Sequence, residues 1–338
     1  MRIVRAGVVQ AAPVYMNLKG TVDKTIALIE QAAADGVEIL AFPELWVPGY
    51  PWFVWLDTAA ESYRHYGTYH ANSLAVNSPE MRAIREAAAR NSIHVVLGFS
   101  EKSGGSRYMS QALILPDGEL GFVRRKIKPT AAERMIFGEG DGSDLKVVET
   151  ALGRVGALNC WENLVSFARM ALIEQHEEIH VSGWPSVTFG RGQVEHLGPK
   201  MIASVSSTSA IEGGLFVLAA TSVTGEDAVE LLCDTEAKRH ALCPLGPAPG
   251  GGFSMIYGPD GIPMAEALPE GAEGIVTADL DLDKIGFAKA LYDAAGHYTR
   301  SDIFSFRVDR TSRRSMHDMG LVRCEEATAE RTVEQAMP

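Results

Sequence analysis

The chain has 338 residues, of which 46% are hydrophobic and 22% charged, enough apolar material to bury a large core and too much for a mostly disordered protein. Its 33 glycines and 16 prolines follow no repeating period, which excludes collagen-like and low-complexity readings. A formal charge of −12 repels phosphate backbones, so no nucleic-acid partner is expected.

Short β-rich runs alternate with helical stretches from the first residues. Ile3 to Val9 reads as a buried strand, followed by a helix over 20–34 and a second strand from Val37 to Phe42, broken by Pro43. The early apolar stretch is interrupted by Arg5 and Gln10 and is too short for a signal-peptide core. The most apolar window, Leu45 to Leu56, spans 12 residues with two prolines and a glycine. A membrane-crossing helix needs about 20 apolar residues, so no membrane contact is expected and a cytoplasmic protein is. Ser78-Pro79-Glu80 is a helix start, with a capping serine and proline in the first turn. His94 to Phe99, Ser110 to Leu115 and Leu120 to Ile127 read as strands, the last two joined by the turn Pro116-Asp117-Gly118.

The second half repeats this grammar. Strands are expected from Val147 and over Val155 to Asn159, then a helix over 164–175 and a strand over 178–182. A helix over 194–211, a buried strand from Leu215 to Thr221, and strands at Phe253 to Tyr257 and Ile275 to Leu280 complete the regular part. Strands and helices mixed throughout predict an α/β core with mixed sheets, in one domain because no linker divides it. Residues 1–306 form that domain, and 307–338 read as a polar tail, either loosely ordered or ordered against a partner subunit.

Cys160, Cys233, Cys243 and Cys324 form no C-x-x-C pair, which fits a reducing compartment and argues against a zinc ribbon or disulfide framework. His176-Glu177-Glu178-Ile179-His180 matches the zinc-protease pattern H-E-x-x-H. That chemistry needs both histidines on one helix face, whereas here a helix end runs into an alternating strand, so a zinc hydrolase using His176 and His180 is the disfavoured reading. Gly138 to Gly142 lacks the Lys-Ser/Thr of a phosphate loop and precedes a strand; no G-x-S-x-G elbow is present.

Three strand ends carry reactive side chains. Cys160 follows Val155 to Asn159 and precedes helical sequence, the place for a nucleophile near helix N-terminal amides; a free thiol is only about 3% thiolate at pH 7 and needs such help plus a base. Cys160 also reads, taken alone, as a small core cysteine. Glu44, directly after a buried strand, is poorly solvated and should titrate high, as a general base or acid must. Lys126, in the basic run Arg124-Arg125-Lys126, reads either as a solvated edge charge or as a cation aimed at developing negative charge.

Glu44 in Phe-Pro-Glu, Lys126 in Arg-Arg-Lys-Ile-Lys-Pro-Thr and Cys160 in Asn-Cys-Trp-Glu resemble, in order and approximate spacing, the nitrilase superfamily. Pro129-Thr130 leading to Glu133-Arg134, the run Gly138 to Gly142, and Gly296-His297-Tyr298-Thr299-Arg300-Ser301-Asp302 resemble its nitrilase branch. The resemblance runs from about Arg2 to Phe306 and implies an α-β-β-α sandwich, two mixed sheets between helical layers, assembling into dimers and spiral homo-oligomers. It implies a nitrilase acting on a small organic nitrile and water through a thioimidate and a thioester; an amidase or cyanide-degrading enzyme is the neighbouring reading. In it Cys160 is the nucleophile, Glu44 the general base, Lys126 the electrostatic stabiliser and Glu133 the glutamate that orients the lysine or assists the base. No metal or organic cofactor is expected. Trp161, Tyr50 and Trp52 are candidate substrate-binding residues, although the Leu45 to Leu56 window also suits a core or subunit contact. Ser166-Phe167 stand where the family usually has Pro-Leu, a departure expected to reshape the pocket.

Overall fold

Period-two apolar patterning gives each strand two faces, and most strands here bury both, the mark of a sheet covered on either side. The computed structural model describes residues 2–192, 198–246 and 248–313. One sheet contains β1 (Ile3–Gln10), β2 (Ile39–Ala41), β3 (His94–Ser103), β4 (Ser106–Ile114), β5 (Leu120–Arg125) and β11 (Gly274–Asp281), in the order β11-β1-β2-β3-β4-β5. Its centre, β1 to β3, is parallel, and its flanks are antiparallel. The other sheet contains β6 (Val147–Thr150), β7 (Gly153–Asn159), β8 (Ile179–Trp184), β9 (Phe216–Thr221) and β10 (Met255–Tyr257), in the order β10-β9-β8-β7-β6, parallel from β7 to β9.

The sheets meet face to face. Val8, Ile39, Val96, Leu113 and Phe122 of the first pack with Val155, Ala157, Val181 and Leu218 of the second. The remaining faces are covered by α1 (Leu18–Ala34), α4 (Pro79–Arg90), α5 (Ser166–Ile173) and α6 (Pro199–Gly213), while α2 (Phe53–Leu56), α3 (Ala59–Asn72), α7 (Glu226–Leu232) and α8 (Glu236–Leu242) form a separate apolar cluster and α9 (Asp283–Leu291) adds Ile285 to the core between the sheets. Ile29 of α1 and Ile84 of α4 cover Leu40 and Val95 of the first sheet. Ile173 of α5 and Ala210 of α6 cover Val217 and Ala219 of the second. This is the expected α-β-β-α sandwich.

Local signals set most boundaries. Ser78 Oγ accepts from the Met81 N–H at 3.2 Å, with Pro79 opening α4. The helix expected over 164–175 instead splits into a 3-10 turn, Cys160–Leu164, and α5, because Val165 is extended between them. The helix expected from 194 is described from Pro199; residues 194–197 lie outside the described residues. Of the tail, residues 307–313 run over the outside of the second sheet's end. There the Arg313 N–H donates to Asp141 Oδ2 at 2.6 Å and Arg310 donates to the Ala171 carbonyl at 3.2 Å. Residues 314–338, with Cys324, lie outside the described residues. Among the described residues no helix is long and apolar enough to cross a membrane.

Candidate active site

The C-terminal ends of strands from both sheets converge on one point. Glu44 follows β2, where close approach is made possible by Gly98 of β3: a Cβ there would lie 2.1 Å from the Pro43 carbonyl oxygen. Lys126 follows β5, its N–H continuing the ladder to the Met109 carbonyl at 2.7 Å. Cys160 follows β7 in a left-handed backbone conformation, φ +50°, a sharp turn that a non-glycine residue adopts at a cost of roughly 1–2 kcal/mol. All three side chains are buried.

Lys126 Nζ donates to Glu44 Oε1 at 2.9 Å and to Glu133 Oε2 at 2.8 Å. Glu133 comes from a 3-10 turn, Ala131–Met135, and its carboxylate is fixed twice more, by the Thr130 N–H at 2.5 Å and by the Tyr50 hydroxyl at 2.7 Å. Glu44 Oε2 is buried and has no hydrogen-bond partner among the described residues, which leaves one acceptor free to take a proton.

One ammonium serves two carboxylates, and burial of both makes two negative charges costly. Desolvation pushes Glu44 up to about 8, Lys126 opposing the shift and Glu133 adding to it. Burial disfavours the Lys126 ammonium, but Glu133 and then Glu44 outweigh it and hold the lysine above its usual range. Cys160 is pushed well above the ordinary thiol range by burial and then by Glu44, with Lys126 and the Trp161 N–H opposing. The sequence position suggested help toward the thiolate from helix amides. Beside two carboxylates the single N–H of a one-turn 3-10 segment does not outweigh burial, so the group rests as a thiol.

The basic run proves to be three separate connections, those of Arg124 and Lys126 buried and that of Arg125 partly exposed. Arg124 makes a bidentate pair with Glu162, at 3.0 and 2.8 Å, and reaches Gln111 at 2.8 Å. Arg125 pairs with Glu101 at 2.6 Å and lies over the Tyr108 ring. Glu162 also accepts the N–H groups of Ile127 at 2.7 Å and Asn159 at 2.8 Å, so one carboxylate ties the end of β5 to the end of β7. Glu162, Arg124 and Gln111 hold lysine and cysteine in register. Their signal in the sequence is only a pair of unexplained charges beside two reactive ones.

The cavity above Cys160 has a volume of 270 Å³ and is lined by Tyr50, Trp52, Trp55, Glu133, Trp161, Trp184, Val187 and Phe189 among others. Trp52 stacks against Phe189, with ring centroids 5.9 Å apart. Tyr50 lines the cavity too, but its hydroxyl is committed to Glu133 and receives the Trp55 indole N–H at 3.1 Å. Ser166 and Phe167 are not on the wall: Phe167 is 74% exposed on the outside of α5 and stacks against Phe306. The departure from Pro-Leu therefore alters an outer surface, because the extended Val165 turns the chain away from the pocket. His176 is exposed and His180 is buried on β8, so the two share no helix face; among the described residues no group of His, Cys, Asp and Glu is arranged to hold a metal.

Residues 5–290 match the model of the carbon-nitrogen hydrolase family. The chain belongs to that family. Within it, the chain falls in the nitrilase branch. It is 46% identical over 295 residues to a nitrilase of Pseudomonas syringae pv. syringae strain B728a, covering 87% of this chain and 86% of that one. It is 43% identical to an arylacetone-specific nitrilase of Alcaligenes faecalis, covering 93% and 87%. A carbon-nitrogen hydrolase from Helicobacter pylori G27 shares the fold at a TM-score of 0.70 and 19% identity, over 89% of this chain and 96% of that one.

Proposed function

We propose that this carbon-nitrogen hydrolase is a nitrilase that converts an organic nitrile and two waters to a carboxylic acid and ammonia through covalent intermediates on Cys160. The observation that carries the roles is the Lys126 ammonium held between Glu44 and Glu133, all three close enough to the Cys160 thiol to act on its charge.

Ionised Glu44 takes the Cys160 proton as the sulfur attacks the nitrile carbon, and that proton passes to the nitrogen to give a thioimidate. Lys126 and the Trp161 N–H stabilise the negative charge that develops on nitrogen. Water, losing one proton to Glu44, adds to the thioimidate, and Glu44 passes that proton to the nitrogen to give an amine; the new hydroxyl then yields its own proton through Glu44 to the amine, and ammonia leaves a thioester. A second water attacks that thioester in the same way, freeing the acid and returning the proton to sulfur. Glu133 keeps Lys126 aimed, and Tyr50 keeps Glu133 aimed. Trp52, Val187 and Phe189 offer an apolar seat for the organic group, and Trp161 flanks the nucleophile.

The exposed side chains Phe167 of α5, Phe287 and Leu291 of α9, and Phe304 support self-association through helical faces, in dimers and longer assemblies. The four cysteines, with no C-x-x-C spacing among them, support a cytoplasmic protein.

The test supplies nitrile and the matching amide in separate reactions and measures ammonia and acid. Equal amounts of both from the nitrile are expected. Ammonia from the amide alone overturns the nitrilase reading in favour of an amidase.

A further inference from the structure

On the far side of the nucleophile's turn lies a buried polar chain that these proton transfers do not use. Asn163 Nδ2 donates to the Cys160 carbonyl oxygen at 2.8 Å. His180 Nε2 lies 2.8 Å from Asn163 Oδ1, and His180 Nδ1 lies 2.8 Å from Glu177 Oε1. Asn163, His180 and Glu177 are 1%, 3% and 2% exposed. Space for the carboxylate comes from Gly156 on β7, where a Cβ would lie 2.1 Å from Glu177 Oε1.

Donor and acceptor accounting fixes the protons. The Cys160 carbonyl only accepts, so Asn163 must present its NH2 there and its oxygen to His180. A flipped amide would set two acceptors against each other at the nucleophile's backbone. His180 Nε2 therefore carries a hydrogen. Because Nδ1 faces a carboxylate, one further proton sits between His180 and Glu177, on either side, and the pair is neutral as a whole. The other charges packed here are Arg169 of α5, which donates to the Asn163 backbone carbonyl at 2.6 Å, and Glu212 of α6, which pairs with Arg169 at 2.8 Å. These two balance each other.

We propose that Glu177, His180 and Asn163 are positioning residues for catalysis: the hydrogen on His180 Nε2 orients the Asn163 amide, whose N–H holds the carbonyl of Cys160 and so keeps the nucleophile in its left-handed turn. This rests on the reading of Cys160 as nucleophile. The held carbonyl keeps the Cys160 backbone at φ +50°, and the sulfur and the following Trp161 N–H are aimed from that same peptide. A misplacement of about 1 Å at a reacting atom costs on the order of 10²-fold in rate, so a link that touches no substrate acts strongly on kcat.

The experiment measures kcat, KM and thermal melting of the full chain with a nitrile, for Asn163→Ala, Asn163→Asp, His180→Leu, His180→Gln and the Asn163→Ala/His180→Leu pair. Asn163→Ala is expected to lower kcat by roughly 10²-fold with KM near the parent value. Asn163→Asp keeps the shape and the acceptor for His180 but sets a carboxylate oxygen against the Cys160 carbonyl, so it lowers kcat with KM near the parent value, and as an extra buried acid it lowers the melting temperature as well. His180→Gln retains a donor and recovers most of the rate lost in His180→Leu. The double variant loses no more kcat than Asn163→Ala alone, since the histidine acts through the asparagine. Losses that multiply in the double variant overturn the chain, as does an Asn163→Asp protein with parental kcat. If His180→Leu fails to fold, the Asn163→Asp and His180→Gln comparison decides. Cys160→Ala is measured beside them: turnover by that protein overturns the nucleophile reading itself, whereas its inactivity together with multiplying losses overturns only the positioning chain.

Discussion

The two sheets contribute differently to the site. The first delivers charge: Glu44 after β2 and Lys126 after β5, with Glu133 from the turn that follows. The second delivers the sulfur after β7, on a strained turn backed by neutral hydrogen bonds. The division is physically sensible. A thiol next to unbalanced carboxylates is hard to ionise, so the charged partners are neutralised among themselves and, in the proposed mechanism, the sulfur loses its proton only during attack. Glu162 joins the halves, belonging to the sulfur's turn but bound to the arginine two residues before the lysine.

The largest effect is expected from removing the proposed base on the charged side. Glu44→Gln keeps the size and the contact with Lys126 yet should lower turnover by up to about 10⁴-fold, measured as ammonia release from a nitrile. With Glu44 pushed up to about 8, kcat/KM of the parent should fall as pH drops below that value, because the base must be ionised. Stability carries the opposite consequence. The folded carboxyl holds its proton above the unfolded value of 4.5, so the parent loses stability as pH rises from about 4.5 to 8. Glu44→Gln lacks that loss, and its melting temperature should gain on the parent's across the same window and level off above it. A gap that shrinks with rising pH contradicts the direction given for Glu44.

Cutting the joint between the sheets comes next. Glu162→Gln leaves Arg124, which is wholly buried, without its counter-charge, an uncompensated charge worth about 3–5 kcal/mol in denaturant unfolding. Arg124→Leu should be milder, since Glu162 keeps the N–H groups of Ile127 and Asn159. Equal losses would mean that the joint is not electrostatic.

Displacing one side without changing its chemistry sharpens the comparison. Gly98→Ala pushes a methyl group into the Pro43 carbonyl and shifts Glu44, which should cost roughly 10²-fold in kcat with every charged group still present. Normal turnover there would show that the first sheet tolerates movement that the mechanism forbids. The smallest change is Tyr50→Phe, which removes one donor from Glu133. About 1.5 kcal/mol for a hydrogen bond to a charged group corresponds to a drop of roughly tenfold in kcat, with KM nearly constant.

Much of this was legible in the sequence because strands announce themselves by apolar runs and turns by proline and glycine. The reactive residues stood out as lone polar groups at the ends of such runs. What was not legible depended on faces and partners. Helix α3 leaves no mark in the sequence because it buries little besides Ser62 and Tyr69, with no apolar stripe at helical spacing. Helices α7 and α8 have seven residues each, too short for a periodic pattern to emerge. Arg124 reads as solvated charge until Glu162 is brought to it from across the two sheets. Tyr50 reads as pocket wall, which it is, but its hydroxyl is spent on Glu133. His180, half of a deceptive metal pattern, turned out to face the nucleophile's own turn.

The triplet Arg124-Arg125-Lys126 has one more implication. Alternation along an extended chain sends the first and third cations toward the opposite sheet and the middle one outward, each to a different acid. Inserting or deleting a single residue between the β4–β5 turn and Arg124 would turn all three cations to the wrong face at once. That stretch is a combination lock: its length, more than its composition, decides which acid each cation meets.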